Sequence, residues 1–275
     1  MNFNIPRFKV IVSRWRAHQP KGFFDNPTIP HSAQSDGTGR TTKAVRRFKI
    51  DSREIQTHLS RLTPPPRLGA RGVPDKLRSV NWYLFDYGMV ISQPPTAADW
   101  EALAEASGFA AEPESSAYWQ HRRGYDAGEL STEQYWQRVL GRSVSSGQLA
   151  QLHALDVRAW SHLNGETLDV LEAIDSTGAG LALLSNMPVE LAKDLGASSV
   201  WPRFFSKLYF SGQLGLVKPD AQIYQHVLDD LAVPAAQVTF IDDRQENLDA
   251  AAALGFNTVL HTPETDLAVE LKLSS

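Results

Sequence analysis

The chain of 275 residues contains no cysteine, and this absence excludes disulfide scaffolds, thiolate zinc sites and cysteine nucleophiles. It also lacks an uncharged apolar run approaching the roughly 18 residues that a membrane-spanning helix requires. The first residues lack the apolar stretch of about 7–15 residues that marks a secretory signal. We therefore expect a cytoplasmic protein without a membrane span.

Acidic residues are scarce in one region of the chain and abundant in the other. Residues 1–80 contain 16 Lys and Arg but 5 Asp and Glu, whereas residues 81–275 contain 11 Lys and Arg and 26 Asp and Glu. This asymmetry indicates two regions of different character rather than one homogeneous domain. The acidic region is long enough to bury a sizeable core, whereas the basic region alone would give a marginal one.

Residues 1–80 are predicted to form a basic, disordered extension. Turn-forming sequences such as SDGTG at 35–39 and PPP at 64–66 interrupt it too often for long helices or strands. Its charge leaves open a contact with nucleic acid or an anionic surface, but we favour a tail without such a partner. A transit peptide is a further alternative, against which the Asp residues at 25, 36 and 51 argue.

From residue 81 onward the pattern is that of an α/β protein. Residues 82–85 are a short, continuous apolar run, which is typical of a buried parallel strand. Later helical and apolar segments alternate, which predicts a doubly wound, Rossmann-like parallel sheet with helices on both faces. The later predicted strands are 181–184, 208–210, 238–241 and 258–260, and the helices between and around them are 166–177, 188–195, 220–231 and 244–254.

One block interrupts this alternation, because it contains helical patterns but no strands. Ser131 begins a typical helix start with hydroxyl caps. Trp119, Tyr135 and Trp136 are assigned to the core of this block rather than to a ligand pocket. We therefore predict a small helical domain, 97–165, inserted into an α/β core formed by 81–96 and 166–275.

Polar residues follow the predicted strands at the edge where open parallel sheets bind ligands. Such clustered carboxylates repel one another unless a cation is present, and a set of oxygen ligands suits Mg²⁺. The sequence therefore predicts a magnesium site at this edge. The residues are Asp86 after the first strand, Ser185 and Asn186 after the second, Lys218 beyond the third, and Asp242 and Asp243 after the fourth.

Four motifs in this order resemble those of the haloacid dehalogenase-like (HAD) hydrolase superfamily. They are FDYGMVI at 85–91, an FDxGxV-type first motif, LLSN at 183–186, KPD at 218–220, and FIDD at 240–243 followed by Asn247. Each motif is weak alone, but four in order over residues 81–262 are specific. The helical block resembles the small cap of helical-cap subfamily I, which includes the 2-haloacid dehalogenases and β-phosphoglucomutase.

The resemblance implies a nucleophile and a metal site. Asp86 would attack phosphorus and form a phosphoaspartate. Mg²⁺ would bind the Asp86 carboxylate, the main-chain carbonyl of Gly88 and Asp243, with Asp242 helping directly or through water. The cation would make the approach of a carboxylate to an anionic phosphate tolerable.

The resemblance also implies the groups that bind the phosphoryl oxygens. Ser185 and the amide of Asn186 would hold these oxygens, and Lys218 would neutralise charge as a compact cation. Arg123 in the cap is a candidate substrate-binding residue, whereas we expect Asp220 to cap its own helix. Further candidates for the pocket are Tyr118, His121, Arg122, Tyr125 and Asp126.

Position 88 departs from the pattern of many phosphatases in this superfamily, which have a second Asp there as general acid and base. Gly88 can still offer its carbonyl to a metal, but it cannot protonate a leaving group. General acid–base catalysis contributes about 10²–10⁴-fold, so substrate, water or a cap residue would have to replace it. Met89 stands where Gly or Asn is more usual, and we therefore expect a tighter loop.

The function that these residues favour is that of a Mg²⁺-dependent phosphatase acting on a small phosphorylated metabolite. One alternative is a 2-haloacid dehalogenase, in which Asp86 attacks carbon and no metal is needed; the pair Asp242 and Asp243 argues against it. The other is a catalytically impaired HAD-fold binding protein, which Gly88 and Met89 would fit. The cap would select the substrate.

Overall fold

The computed structural model describes residues 81–273, so the predicted disordered extension, residues 1–80, lies outside the described residues. The described part contains five strands: β1 (Trp82–Phe85), β2 (Gly180–Ser185), β3 (Lys207–Phe210), β4 (Val238–Asp242) and β5 (Asn257–Leu260). They form one parallel sheet in the order β3-β2-β1-β4-β5. The predicted doubly wound parallel sheet is thereby confirmed.

Five helices lie between β1 and the further helix that leads into β2. No strand occurs between residues 97 and 159, as the sequence predicts. Ser131 begins one helix with a capping box, because its hydroxyl accepts the Gln134 N–H and the Gln134 side chain accepts the Ser131 N–H. These helices, which we call the helical insertion, are α1 (Ala97–Ser107), α2 (Ala117–Gln120), α3 (Arg122–Asp126), α4 (Thr132–Leu140) and α5 (Ser146–Ala159).

The remaining helices cover both faces of the sheet. They are α6 (Gly165–Thr177), α7 (Val189–Ala197), α8 (Ser211–Leu214), α9 (Ala221–Leu231), α10 (Gln245–Ala252) and α11 (Leu267–Glu270). Adjacent strand residues point to opposite faces, so Phe85 packs with α6, α7 and α11, whereas Leu84 packs with α9 and α10. In the strands β1, β2 and β4, residues on both faces are buried, which explains their largely apolar sequences.

The helical insertion has an aromatic core of its own. Tyr135 and Trp136 are completely buried and pack against Tyr118, Tyr125 and Leu152. Burying each large apolar side chain contributes about 1.5–3 kcal/mol. The assignment of Tyr135 and Trp136 to a core is therefore confirmed, whereas Trp119 is only partly buried and packs against this core.

Main-chain hydrogen bonds join the two segments that connect the insertion to the sheet. The Gln93 N–H donates to the His162 carbonyl at 2.7 Å, and the Asn164 N–H donates to the Ile91 carbonyl at 2.8 Å. The Tyr87 hydroxyl adds a bond of 2.8 Å to the Trp160 carbonyl. These contacts fix the insertion next to the loop that follows β1.

A second contact joins the insertion to the segment after β3. The buried Ser211 hydroxyl donates to the Asp126 carbonyl at 2.5 Å and accepts the Met187 N–H at 2.8 Å. Gly128 lies so close to Gly212 that a Cβ at Gly128 would be 2.5 Å from the Gly212 carbonyl oxygen. Only glycine fits there, and α3 is consequently held above this edge of the sheet.

None of the helices within residues 81–273 combines the length and the apolar composition that crossing a membrane demands. The cytoplasmic location stays a prediction.

Candidate active site

The carboxyl edge of the sheet brings Asp86, Lys218 and Asp242 into direct contact. Asp242 ends β4, and Asp86 directly follows the neighbouring strand β1, where its N–H donates to the Ile241 carbonyl at 2.9 Å. Lys218 reaches both carboxylates from the loop before α9, with Nζ 2.8 Å from Asp86 Oδ1 and 2.6 Å from Asp242 Oδ2. Lys218 is only 3% exposed, so its charge acts on Asp86 with little screening by solvent.

Asp242 uses both of its oxygens for hydrogen bonds within the protein. Besides Lys218, the main-chain N–H of Arg244 and the side-chain amide of Asn247 donate to it, at 2.8 and 2.9 Å. Asp242 is completely buried, and this burial is tolerated because three donors satisfy the carboxylate. The geometry suits Asp242 for positioning Lys218 and the start of α10.

Burial and mutual repulsion make it costly for the acidic cluster to be fully ionised. One oxygen each from Asp86, Asp242 and Asp243 lies within 4.8 Å of the others. Burial, together with the charges of Asp242 and Asp243, raises the pKa of Asp86 to about 7 against the opposing charge of Lys218. Burial and then Asp242 raise the pKa of Asp243 to about 6.

Lys218 alone therefore does not supply enough positive charge for this cluster. Burial disfavours its charged form, but Asp242 and Asp86 outweigh that effect and raise the pKa of Lys218. The free oxygens of Asp86 and Asp243 are hard donors, with neither nitrogen nor sulfur among them, and such a set fits a hard divalent cation. Sequence reasoning predicted this cluster correctly as a set of neighbours.

Ser185 and Asn186 lie at the end of β2, beside Asp86. Within residues 81–273, the Ser185 hydroxyl makes no hydrogen bond, although the residue is only 3% exposed. The Asn186 side chain, in contrast, binds the main chain of Lys218 twice, accepting its N–H at 2.8 Å and donating to its carbonyl at 2.9 Å. Ser185 therefore offers a free hydroxyl, whereas Asn186 holds the lysine loop in place.

Arg123 joins the helical insertion to the segment that contains Lys218. Its Nη2 lies 3.0 Å from Asp220 Oδ2, and both side chains are more than half exposed. Asp220 occupies the N-cap position of α9, as expected, but its carboxylate makes no capping hydrogen bond to that helix and binds Arg123 instead. Exposed pairs of this kind contribute about 0–1 kcal/mol, so the contact orients Arg123 more than it stabilises the fold.

Four candidate pocket residues belong to the interior of the insertion. Tyr118 and Tyr125 are completely buried. Arg122 donates to Asp126 at 2.8 Å, and the Tyr118 hydroxyl donates to Asp156 at 2.6 Å. Sequence reasoning missed Asp156, whose partners come from α2 and α3. The apolar pattern of α5 gives no signal for such an interhelical network.

The loop after β1 contains Gly88 and Met89. Met89 has a φ of 58°, in the left-handed region that Gly and Asn adopt more easily. This backbone shape explains why Met is unusual at that position. A Cβ at Gly88 would lie 3.7 Å from Cζ3 of Trp160, a residue that sequence reasoning also missed.

Comparison with protein families agrees with this arrangement. A family model described as haloacid dehalogenase-like hydrolase matches residues 88–255. The match contains the segments of Ser185, Lys218, Asp242 and Asp243, and it begins two residues after Asp86.

Curated relatives match shorter parts of the chain. The chain is 34% identical over 77 residues to the drimenol cyclase drtB of Aspergillus calidoustus and 28% identical over 103 residues to the sesquiterpene phosphatase astK of Aspergillus oryzae. It is 32% identical over 94 residues to the (S)-2-haloacid dehalogenase 4A of Burkholderia cepacia. These matches cover 28%, 38% and 34% of the chain, and 14%, 53% and 41% of the relatives. The chain thus spans about half or less of the relatives it matches.

A solved structure shares the fold over most of the described region. A HAD family enzyme from Bacteroides thetaiotaomicron, a mutant in complex with magnesium and inorganic phosphate, superimposes with a TM-score of 0.58 at 19% identity. The superposition covers 70% of this chain and 98% of that one. Because the family model covers more than half of the sequence, the protein belongs to the haloacid dehalogenase-like hydrolase family.

Proposed function

We propose that the protein is a Mg²⁺-dependent phosphatase that hydrolyses a small phosphorylated metabolite through a phosphoaspartate on Asp86. The observation that carries this proposal is the pairing of Asp86 with the buried Lys218 inside a cluster of carboxylates. The similarity to a sesquiterpene phosphatase supports the same chemistry. We also propose that 97–165 serves as the cap and that 81–96 and 166–275 form the α/β core.

The metal would be held by Asp86, Asp243 and the main-chain carbonyl of Gly88, and it would neutralise charge between the nucleophile and the phosphoryl group. Asp242 is assigned a supporting role, since Lys218 and two other donors occupy its oxygens.

The remaining side chains would bind and orient the phosphoryl group. Lys218 would neutralise charge on Asp86 and on one phosphoryl oxygen, and the free Ser185 hydroxyl would donate to another. The main-chain N–H of Asn186 would bind a phosphoryl oxygen, because the Asn186 side chain already binds the main chain of Lys218. Arg123 would reach the substrate from the insertion. These groups act by position and charge, which is what phosphoryl transfer requires.

Two displacements at phosphorus complete the reaction. A carboxylate oxygen of Asp86 forms a bond to phosphorus while the bond to the leaving-group oxygen breaks, and the electron pair stays on that oxygen. Water then forms a bond to the same phosphorus while the bond between phosphorus and the Asp86 oxygen breaks. The products are the alcohol, inorganic phosphate and regenerated Asp86. One proton of the water ends on the alcohol and the other on phosphate.

Phosphate release from a panel of phosphorylated metabolites tests this proposal. We expect release with Mg²⁺, none with EDTA, and a loss of at least about 10³-fold in Asp86→Asn, since the nucleophile is removed. Asp169→Asn is the matched control, because Asp169 is exposed on α6. Full activity of Asp86→Asn would disprove the mechanism.

A dehalogenase is the second candidate, and the similarity to a 2-haloacid dehalogenase favours it. Asp86 would then displace halide from carbon without a metal. Halide release from 2-chloropropionate in EDTA, abolished in Asp86→Asn, would establish this activity in place of the phosphatase. Absence of both phosphate and halide release would favour the impaired binding protein.

A further inference from the structure

Trp100 and Trp119 of the helical insertion and Trp160, directly after α5, form a partly exposed row, and Trp160 lies beside the loop that follows Asp86. Trp160 and Trp119 have ring centroids 6.3 Å apart, and Trp119 and Trp100 are also 6.3 Å apart. All three are only partly buried, unlike Trp136 in the same insertion. We call Trp160, Trp119 and Trp100 the tryptophan row. The proposed reaction assigns it no role.

Trp160 is held with its apolar edge toward the catalytic loop. Its indole N–H donates to the Tyr118 hydroxyl at 3.1 Å, and its main-chain carbonyl accepts the Tyr87 hydroxyl at 2.8 Å. The Arg122 guanidinium lies 5.9 Å from the ring. The polar edge of the indole is thus satisfied inside the insertion, which leaves carbon atoms facing Gly88.

The space beside Gly88 is bounded by carbon rather than by an acid. Among the described residues, Trp160 Cζ3 is the heavy atom that a Cβ at position 88 would contact, apart from its chain neighbours. In-line displacement places the leaving group opposite the attacking oxygen of Asp86. A leaving group directed from the sheet toward the insertion would meet the indole edge of Trp160, with no side-chain acid at position 88.

We propose that the substrate is an aryl phosphate monoester, and that Trp160 with the rest of the tryptophan row selects it; this inference rests on the proposed phosphatase function. An aromatic leaving group packs against indole edges. A phenol has a pKa near that of tyrosine, about 10, so its oxygen leaves as phenolate when the bond to phosphorus breaks. The phenolate then takes a proton from solvent, and no general acid is needed at Gly88.

Initial rates with four phosphates test this inference: phenyl phosphate, 2-naphthyl phosphate, butyl phosphate and acetyl phosphate. Butyl phosphate requires a proton donor, so we expect kcat/KM for phenyl phosphate to exceed it by about 100-fold or more. Gly88→Asp adds a carboxyl group at the position that lacks a side-chain acid. This variant should lower the ratio of kcat/KM for phenyl phosphate to kcat/KM for butyl phosphate.

Variants of the row separate binding from chemistry. Trp160→Leu should raise KM for 2-naphthyl phosphate about tenfold and change KM for acetyl phosphate less than about twofold, since acetyl phosphate has a good leaving group and no ring. If Trp160→Leu does not fold, Trp119→Leu replaces it, because the Trp119 indole makes no buried hydrogen bond. Trp119→Leu should also raise KM for 2-naphthyl phosphate more than KM for acetyl phosphate, but by a smaller factor.

The possible results distinguish the inference from the function on which it rests. Equal kcat/KM for phenyl and butyl phosphate, or equal changes for naphthyl and acetyl phosphate in both variants, would overturn the aryl specificity while the phosphatase function stands. No phosphate release from any of the four, with release from the metabolite panel, would overturn the aryl specificity alone. No release from the four or from the panel would overturn the phosphatase function and this inference with it.

Discussion

Replacing Lys218 by Met should expose the electrostatic cost of the acidic cluster. Lys218 Nζ lies 2.8 Å from Asp86 and 2.6 Å from Asp242, and the lysine side chain is 1% exposed. Lys218→Met removes this charge and leaves two buried carboxylates without it. Breaking a buried ion pair by removing one partner costs about 3–5 kcal/mol, and we expect a loss of unfolding free energy in that range at pH 8 without metal.

The loss should shrink as the pH falls. Burial raises the pKa of Asp86 from 3.8 to about 7 in the folded protein, so the folded state binds this proton more tightly than the unfolded state. Ionised Asp86 therefore destabilises the fold above pH 7, and protonation relieves this below it. Without Lys218 the pKa of Asp86 rises further. We expect the loss at pH 5.5 to be about 1–2 kcal/mol smaller than at pH 8, since one pKa unit corresponds to about 1.4 kcal/mol.

Urea denaturation in EDTA at both pH values measures this effect. Lys207→Met is the matched control, because Lys207 Nζ lies 2.9 Å from Asp230 Oδ2 but both side chains are about 40% exposed. An exposed pair contributes about 0–1 kcal/mol. The electrostatic reasoning is refuted if Lys218→Met costs no more than Lys207→Met, or if its cost is equal at the two pH values.

Three further predictions concern the metal and the backbone. Mg²⁺ should raise Tm more at pH 8 than at pH 5.5 in thermal denaturation, because protons occupy Asp86 and Asp243 at the lower pH (pKa about 7 and 6); an equal rise would contradict it. Met89→Gly should stabilise by about 1 kcal/mol in urea, since its φ is 58°. Gly128→Ala should cost more than Gly141→Ala, which also has positive φ but open space; equal losses would rule out the close contact.

The fold follows from short-range patterns in the sequence. The continuous apolar run of β1 and the largely apolar run of β4 can be recognised in the sequence because helices cover both faces of these strands. The hydroxyl cap at Ser131 is equally local, and the structure confirms it. The order of the strands in the sheet is set by contacts between distant segments, so the sequence predicts a parallel sheet but not that β1 is central.

The site was predictable to the extent that strand ends converge. Asp86 and Asp242 follow strands that the sequence identifies, so their proximity was foreseeable. The hydrogen-bond and ion-pair partners of the site residues were not foreseeable, because they depend on three-dimensional contacts. Asn186 binds the Lys218 main chain, and the Asp220 carboxylate binds Arg123 rather than its own helix. Hydrogen bonds between the insertion and the core leave no periodic signal in the sequence.

The most direct test of Asp86 as the nucleophile is to trap the covalent intermediate. The enzyme is mixed with phenyl phosphate and Mg²⁺, quenched in acid within the first turnover, digested and analysed by mass spectrometry. We predict one phosphoryl group on the peptide that contains Asp86, labile to hydroxylamine and absent in Asp86→Asn. Turnover with an unmodified Asp86 peptide, or with the phosphoryl group on Ser185, would contradict the proposed mechanism.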